Sequence, residues 1–551
     1  MRSRNRCASS RAAAMSISST TRRGTSRGSK RRMTITTAKR IPARIPARLA
    51  PLAALLLVAL PAQAQWNITP SLSLTETYSD NPTLSSDANK RGQFITEVMP
   101  AIQVYGQNTR VQVNASASAS LYNYSEGRPT NARRSNVQYN GAGRLKVIDE
   151  FMYVDARANG SSRAVSAFGP DDTGTNRFTR ENRTQLNTWS VSPYLVRRFG
   201  NFAAGTLRYT HDSVEADDAR FGKSDSDGIA FNLNSGRAWR DLGWNLRYTR
   251  QDVDMERFGE SSSENALAGL SYRLHRTLQL TVTGGYDVYD YGDFGGRTSG
   301  ASWSAGFAWN PTVRTAVQMS AGRHFLGNTG SLLATHRSRH TAWRASYSDS
   351  VTTTRREYAQ GQEIDTASLL DSLFALTYPD PVARRQAVDD YIRLAGLPPV
   401  TGEQINFLTN RYFRQKLAQA SVAYNMRQHG AVLTLFADQR VALSSGTADS
   451  ELLGNQLFDL NDNVRQAGAS AAYSYKMNAR TSATVALTAT HSESRSASLN
   501  RDQQNLRLNL TRRFSRKLLG VVELRHVRGE RGFDNTTYKE NAISATITAQ
   551  L

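Results

Sequence analysis

Eight histidines are the natural starting point for acid–base or metal chemistry in this chain. His336 and His340 straddle a predicted tight turn and have no carboxylate close by in sequence. His275 and His429 lie at predicted turns, where a solvated imidazole is the usual outcome. The others are isolated from one another: His211, His324, His491 and His526. This spacing indicates neither a metal pair nor a catalytic triad.

Nucleophile motifs are equally sparse. The single G-x-S-x-G match, Gly24–Gly28, falls in a basic leader with no strand before it and no helix after it, and no P-loop or H-E-x-x-H helix occurs. Cys7 is the only cysteine. The acidic pairs Asp171-Asp172 and Asp217-Asp218 lack the spaced ligands of a calcium loop, so solvated loops are favoured over metal binding. We therefore expect no enzyme: no catalytic, cofactor-binding or metal residues, and no cofactor.

Arginine is the residue type that offers chemistry, because its guanidinium binds carboxylate and phosphate in a bidentate manner. Eight arginines lie on predicted strands and are assigned to the side away from the apolar face: Arg208, Arg247, Arg250, Arg273, Arg344, Arg507, Arg512 and Arg525. If the strands enclose a lumen, these residues form a candidate polyanion path. The alternative left open is that they pair with Asp and Glu across the lumen and only hold the wall.

The elements that would position these arginines are long amphipathic strands. In 111–121, every second side chain is apolar and the others are small and polar. Many such runs reach ten residues or more, which matches the ~9–11 that a tilted strand needs to cross a bilayer. Short turns alternate with long polar loops, and aromatic residues cluster near strand ends. The pattern predicts an all-β fold: a transmembrane antiparallel β-barrel of about 22 strands, within a range of 16–24.

The leader, 1–64, is treated separately because it carries fourteen Lys and Arg and no acidic residue. It ends in an apolar run and Pro61-Ala62-Gln63-Ala64, which predicts signal cleavage after Ala64. The leader is over-long, and Met33 is a more ordinary start. Without it the net charge falls from +23 to +9, since 23 − 14 = 9. The basicity is thus mainly an export signal, and no nucleic-acid partner is expected. The barrel is assigned to 65–551.

One segment, 355–410, breaks the strand rhythm. Apolar residues take helical spacing in 367–376, and a second helix begins at Asp380 and Pro381. The segment follows the fifteenth predicted strand, on the long-loop side. Two interpretations remain open: a gate or plug of the lumen, or a helical hairpin that decorates an exterior loop. The candidate gate or plug residues are Leu369, Leu373, Phe374, Asp380, Pro381 and Ile392.

Several short motifs resemble a known family. They are Leu74–Asn81, Phe94–Pro100 and Ser166–Gly169, together with the insertion around Tyr378–Pro381. The chain is similar to the uncharacterised outer-membrane β-barrel family associated with the PEP-CTERM/exosortase system. That resemblance implies an accessory of exopolysaccharide production in Gram-negative bacteria, and it implies no catalytic residues.

We therefore expect a channel or docking platform for polysaccharide export or surface assembly in the cell outer membrane, with both termini periplasmic. The alternatives are a non-conducting structural or adhesive barrel and, third, an outer-membrane hydrolase. The expected partners are outer-membrane lipid and lipopolysaccharide, an anionic exopolysaccharide, and the barrel-assembly machinery during biogenesis. The sequence leaves the oligomeric state open.

Overall fold

The described part of the chain is a closed antiparallel β-barrel of 22 strands. The computed structural model describes residues 65–169, 178–217, 221–256, 259–292, 295–360, 367, 370–371, 374, 384, 387–388, 391–392, 409, 411–444, 460, 462–497, 499–531 and 536–551. The predicted fold class and strand number are confirmed.

The strands follow one another around the barrel in chain order. Their bounds are β1 Gln65–Ser79, β2 Gln93–Gln107, β3 Val111–Tyr124, β4 Ser135–Ile148, β5 Met152–Ala164, β6 Arg183–Phe199, β7 Ala203–Ala216, β8 Lys223–Ser235, β9 Leu242–Met255, β10 Gly259–His275, β11 Leu278–Asp290, β12 Arg297–Thr312, β13 Thr315–His324, β14 Gly327–Arg337, β15 Thr341–Thr353, β16 Tyr412–Asn425, β17 His429–Ala442, β18 Asn463–Asn478, β19 Thr481–Ser494, β20 Leu499–Arg513, β21 Leu518–Arg531 and β22 Thr536–Gln550. After β15 the described residues form a short α-helix, α1 Thr354–Gln360.

The barrel closes where the first strand pairs with the last. The register runs from Ser71 opposite Gln550 to Ser79 opposite Ala542. Two hydroxyl contacts, Ser73 to Thr548 at 2.8 Å and Thr75 to Thr546 at 2.9 Å, cross this seam on the lumen side. Closure leaves no free strand edge, which is the condition for a sheet to lie in lipid.

Alternation assigns each strand residue to one of two faces. On β19, Leu487 is 47% exposed on the outward face, whereas Thr484 is 3% exposed on the lumen face. The neighbouring strands present matching outward apolar residues, including Leu506, Leu508 and Leu510 on β20. An outward band of this kind is what a transmembrane barrel turns toward lipid. No helix in the described residues is long and apolar enough to cross a membrane.

The two ends of the barrel differ. We call the end with the tight turns after even-numbered strands the short-turn end, and the other the long-loop end. Gly200, at φ 56°, forms the β6–β7 turn in a backbone region that glycine adopts without strain. The β12–β13 turn begins only after Thr312, because β12 continues through Asn310 and Pro311. The first and last strand residues, Gln65 and Gln550, both lie at the short-turn end.

Candidate functional site

The lumen is the candidate site, and six of the eight predicted arginines face it: Arg208, Arg247, Arg273, Arg344, Arg507 and Arg525. Some are already paired along the wall. Arg208 lies 3.2 Å from Asp155, and Arg525 lies 2.9 Å from Glu540. Arg247 donates instead to the neutral amide of Asn232 at 3.0 Å. The wall therefore combines neutralised and unneutralised cations.

The assignment of Arg250 and Arg512 to the lumen was wrong. Arg250 pairs in register with the outward Ile229 and contacts Asp252 at 3.0 Å. It cannot share a face with Arg247, because residues three apart on a regular strand point to opposite sides. Arg512 lies over the ring of the exposed Phe514, 5.8 Å from its centroid, on the outward side of β20.

Helix α1 enters the lumen at the long-loop end and reaches the opposite wall. It follows directly from β15, yet Arg355 contacts Asp212 of β7 at 2.7 Å and the Ser224 hydroxyl of β8 at 2.8 Å. Tyr358 lies in a buried cluster with Leu186, Val214 and other residues of that wall. Strands β7 and β15 are eight positions apart in the ring of 22. The start of the insertion therefore bridges the mouth of the barrel.

The same helix also contacts β17. Glu357 accepts a hydrogen bond from Arg440 at 3.0 Å, and Arg440 also donates to Asp438 at 3.0 Å. All three side chains are nearly fully buried. Burial raises the pKa of Glu357 to about 7, although the charge of Arg440 opposes that rise. The guanidinium lies over the Phe413 ring, 4.8 Å from its centroid. This buried ion cluster attaches α1 to the wall.

Deeper in the lumen, described residues of the insertion form an apolar contact with the inner wall. Ala367, Leu370, Asp371 and Phe374 are helical, as are Arg384, Ala387, Val388, Tyr391 and Ile392. Leu370, Val388 and Tyr391 form one buried cluster with wall residues Ala423, Val432 and Ala472. Small wall side chains leave room for the larger side chains of the insertion. The contact covers β16, β17 and β18.

Tyr391 marks how far the insertion descends. A Cβ at Gly430 would lie 2.1 Å from the Tyr391 hydroxyl oxygen, so the absence of a side chain at Gly430 makes room for this approach. The Lys476 ammonium lies 4.5 Å from the Tyr391 ring centroid, and burial raises the pKa of Tyr391 to about 12. Gly430 and Arg440 are ten residues apart on β17, or about 34 Å of strand at about 3.4 Å per residue. Insertion contacts therefore extend along most of the lumen.

These contacts place the described part of the insertion inside the barrel, not on an exterior loop. Of the predicted gate or plug residues, Phe374 and Ile392 are partly buried against the cluster. The Phe374 and Tyr391 rings are 5.5 Å apart. Leu369, Leu373, Asp380 and Pro381 lie outside the described residues.

A second element crosses the mouth. Ala167 and Phe168, in the β5–β6 loop, are fully buried with Leu460 and Val464. Arg501 of β20 donates to the Ala167 carbonyl at 2.9 Å. The loop thus reaches strands on the far side of the ring. In the described residues, this loop and α1 thus both cross the long-loop end.

Beneath α1, on the wall away from the apolar contact, a cavity of about 370 Å³ remains. It is lined mainly by β5–β9 and by Arg356 of the insertion. Two carboxylates border it, Asp155 and Asp212. Asp155 is paired with Arg144 and Arg208, and Asp212 is paired with Arg355. Since Arg157 and Arg356 add two further positive charges, the cavity has a net positive surround.

Three histidines of the described residues contact a carboxylate. His211–Asp227 and His491–Asp502 are exposed pairs at 2.9 Å and 2.7 Å. His324 faces the lumen, with Nε2 3.0 Å from Asp287 and Nδ1 accepting from the Leu326 amide at 3.3 Å. Both ring nitrogens of His324 are therefore occupied, which leaves none to activate a nucleophile. The described residues contain no group of three or more His, Cys, Asp or Glu placed to hold a metal ion.

Sequence reasoning missed Arg157, Arg356, Glu357 and Arg440. The alternation of side chains in β5 could have placed Arg157 in the lumen, because Asp155 and Arg157 share the face opposite Val154. The run Arg355–Glu357 stood at the boundary of the predicted insertion. No local signal connects it with Arg440, since 83 residues separate Glu357 from Arg440.

Comparison with known proteins gives one family match. Residues 64–331, just under half of the chain, match the model of a family described as "Putative beta-barrel porin 2". A comparison with curated protein sequences gives no match.

Solved structures include distant matches. The FrpB iron transporter from Neisseria meningitidis is 9% identical with a TM-score of 0.45, covering 88% of this chain and 81% of that one. The siderophore receptor PirA from Acinetobacter baumannii is 8% identical with a TM-score of 0.41, covering 88% and 80%. These likenesses do not extend to what those proteins bind.

Proposed function

We propose that this porin-like outer-membrane β-barrel is a gated channel for anionic, hydroxyl-rich solutes, with the insertion as its resident plug. The observation that carries the proposal is the contact between the insertion and the inner wall, from Glu357 and Arg440 at the long-loop end to Tyr391 and Gly430 near the short-turn end. A barrel of 22 strands has a lumen wide enough to need a plug. The long-loop end faces outward from a Gram-negative cell, and both termini are periplasmic.

The proposed selectivity rests on charge. Arg157 and Arg247 face the lumen without a carboxylate partner in the described residues. Serine and threonine hydroxyls lie between them along the wall, including Ser190, Ser192 and Thr210. A lumen with low-dielectric walls and one excess sign of charge concentrates solutes of the opposite sign.

The narrower proposal is that the solute is an acidic exopolysaccharide, as the resemblance of the sequence motifs implies. Arginine–carboxylate contacts and hydroxyl contacts together suit the repeating units of such a polymer. The cavity beneath α1, about 370 Å³, is of small-ligand size. In this proposal, a polymer passes only when the insertion moves.

The test is single-channel recording in a planar bilayer with two proteins: residues 65–551, and a variant in which 354–411 is replaced by a tight turn. Thr353 and Tyr412 are direct cross-strand neighbours, so a loop of about four residues can join β15 to β16. We expect small or absent steps from the first protein. The variant should give large anion-selective steps that polygalacturonate blocks and neutral dextran does not. Silence from a correctly folded variant would contradict the channel.

A non-conducting structural or adhesive barrel is the second candidate. The observation that favours it is the double crossing of the mouth, by α1 and by the β5–β6 loop, with buried polar contacts in both. That candidate predicts that the variant without the insertion also stays closed, because Phe168 and Arg501 would still hold the loop across the mouth. Catalysis is not part of either proposal.

A further inference from the structure

The cavity beneath α1 has an arrangement of charges that the proposed channel alone does not explain. Its two bordering carboxylates are already engaged by arginines: Asp155 by Arg144 and Arg208, and Asp212 by Arg355. Those contacts leave each carboxylate neutralised within the wall. The cations that remain are the ones available to a ligand.

Two guanidinium groups remain without a carboxylate in the described residues. Arg157, on the lumen face of β5, has an exposed side chain and no hydrogen-bond partner there. Arg356, on α1, donates to the Gln251 side-chain oxygen at 2.9 Å and to the Ser263 hydroxyl at 3.4 Å. Both of these acceptors are neutral. A charged acceptor forms the stronger contact with a guanidinium, so both arginines are suited to an anion.

The wall between them offers hydroxyl groups. Ser190 lies opposite Arg157 in the β5–β6 register, and Ser192 exchanges a hydrogen bond with Thr210 at 2.9 Å. All three line the cavity. A ring of sugar hydroxyls would meet donors and acceptors here, while its acidic group would meet a guanidinium.

We propose that this cavity is a binding subsite for one acidic sugar unit, held between Arg157 of the wall and Arg356 of the insertion. The inference deepens the proposed function and rests on it for biological meaning, since it names the ligand class at one place in the lumen. Because Arg356 belongs to α1, a ligand held by both arginines joins the insertion to the wall. The geometry suits an anionic group of carboxylate or phosphate type.

The experiment is calorimetric titration of the full 65–551 chain in detergent at low ionic strength, where exposed charges are least screened. The probes are galacturonate, galactose 6-phosphate and galactose. Galacturonate should bind at least tenfold more tightly than galactose. A similar affinity for galactose 6-phosphate would make the site a general sugar-anion site, and a weaker one would make it selective for carboxylate. Equal affinity for galacturonate and galactose would overturn the proposal.

Variants locate the site. Arg157→Gln and Arg356→Gln should each weaken galacturonate binding by about tenfold, as the loss of one charge-assisted contact implies. Arg250→Gln is the matched control, because Arg250 borders the cavity but its side chain belongs to the outward row. It should bind like the parent. Unchanged affinity in both lumen variants, with folding confirmed by heat-modifiable mobility, would overturn the assignment.

Different results would contradict the channel and the binding subsite. If the channel is wrong, the insertion-free variant is silent in a bilayer while galacturonate still binds the full chain. If the subsite is wrong, conductance and polymer block are retained while galacturonate shows no preference over galactose.

Discussion

The wall and the insertion of this barrel are held together by different means. Each of the 22 wall strands pairs with two neighbours and turns an apolar row outward. The wall is therefore stabilised by the same kind of contact in every strand. The insertion depends on a few contacts that occur once: a buried ion cluster at Glu357, an ion pair at Arg355, and an apolar contact around Leu370. We therefore expect that changes to these few contacts release the insertion while the wall remains intact.

The largest expected effect is the loss of Arg440. Arg440→Met would leave the carboxylates of Glu357 and Asp438 buried without a cation, which costs about 3–5 kcal/mol when one partner of a buried pair is removed. Protease should then cut the insertion while the strands stay protected. Adding Glu357→Gln should restore part of the resistance. Full resistance in Arg440→Met would show that the ion cluster does not hold the insertion.

Charge on the lipid-facing side should instead disrupt the wall. Leu487→Arg places a cation near the middle of an outward row and should destabilise the barrel by about 2–4 kcal/mol. Thr488→Arg, the next residue on the lumen face of β19, is the control and should cost much less. Denaturant unfolding in lipid vesicles measures both. Equal losses would argue against the assignment of the two faces.

The stability of the docked insertion should depend on pH. The pKa of Glu357 is raised from 4.5 to about 7 in the docked insertion, so docking favours the protonated carboxyl. The stabilisation is complete below pH 4.5 and is lost as pH rises through 7. At 1.36 kcal/mol per pKa unit, this shift corresponds to a docking free energy of about 3 kcal/mol. The insertion should resist protease better at pH 5 than at pH 8, and Glu357→Gln should abolish the difference. A parent protein with no difference would contradict the argument.

The smallest effect concerns two arginines on one strand. Arg247→Gln removes a lumen charge and should reduce anion selectivity in the insertion-free variant, measured as a reversal potential in a salt gradient. Arg250→Gln removes an exposed charge paired with Asp252, a contact worth about 0–1 kcal/mol, and should leave selectivity unchanged. If Arg250→Gln changed the anion selectivity more than Arg247→Gln did, the assignment of the two faces would be reversed.

The sequence predicted the wall well because alternation is a local property. It placed 22 strands and an insertion after the fifteenth, and it put Arg208 and Arg525 on the lumen face. It failed at Arg250 and Arg512. Both lie on predicted strands, but the alternation of side chains along those strands puts them on the outward face. The path of the insertion was not predictable, since an amphipathic helix carries no information about which surface covers it. Gly430, which admits Tyr391, looks like an ordinary turn glycine in the sequence.

The most direct test of the central claim is a thiol crosslink between the insertion and the inner wall. Residues 65–551 contain no cysteine, so introduced thiols are unambiguous. Val388→Cys with Val432→Cys should crosslink through a short bifunctional reagent, because both side chains lie in one buried cluster. Val388→Cys with Leu433→Cys is the control, since Leu433 is outward and 40% exposed. Crosslinking of only the first pair would support a lumen plug, whereas crosslinking of neither or only of the second would contradict it.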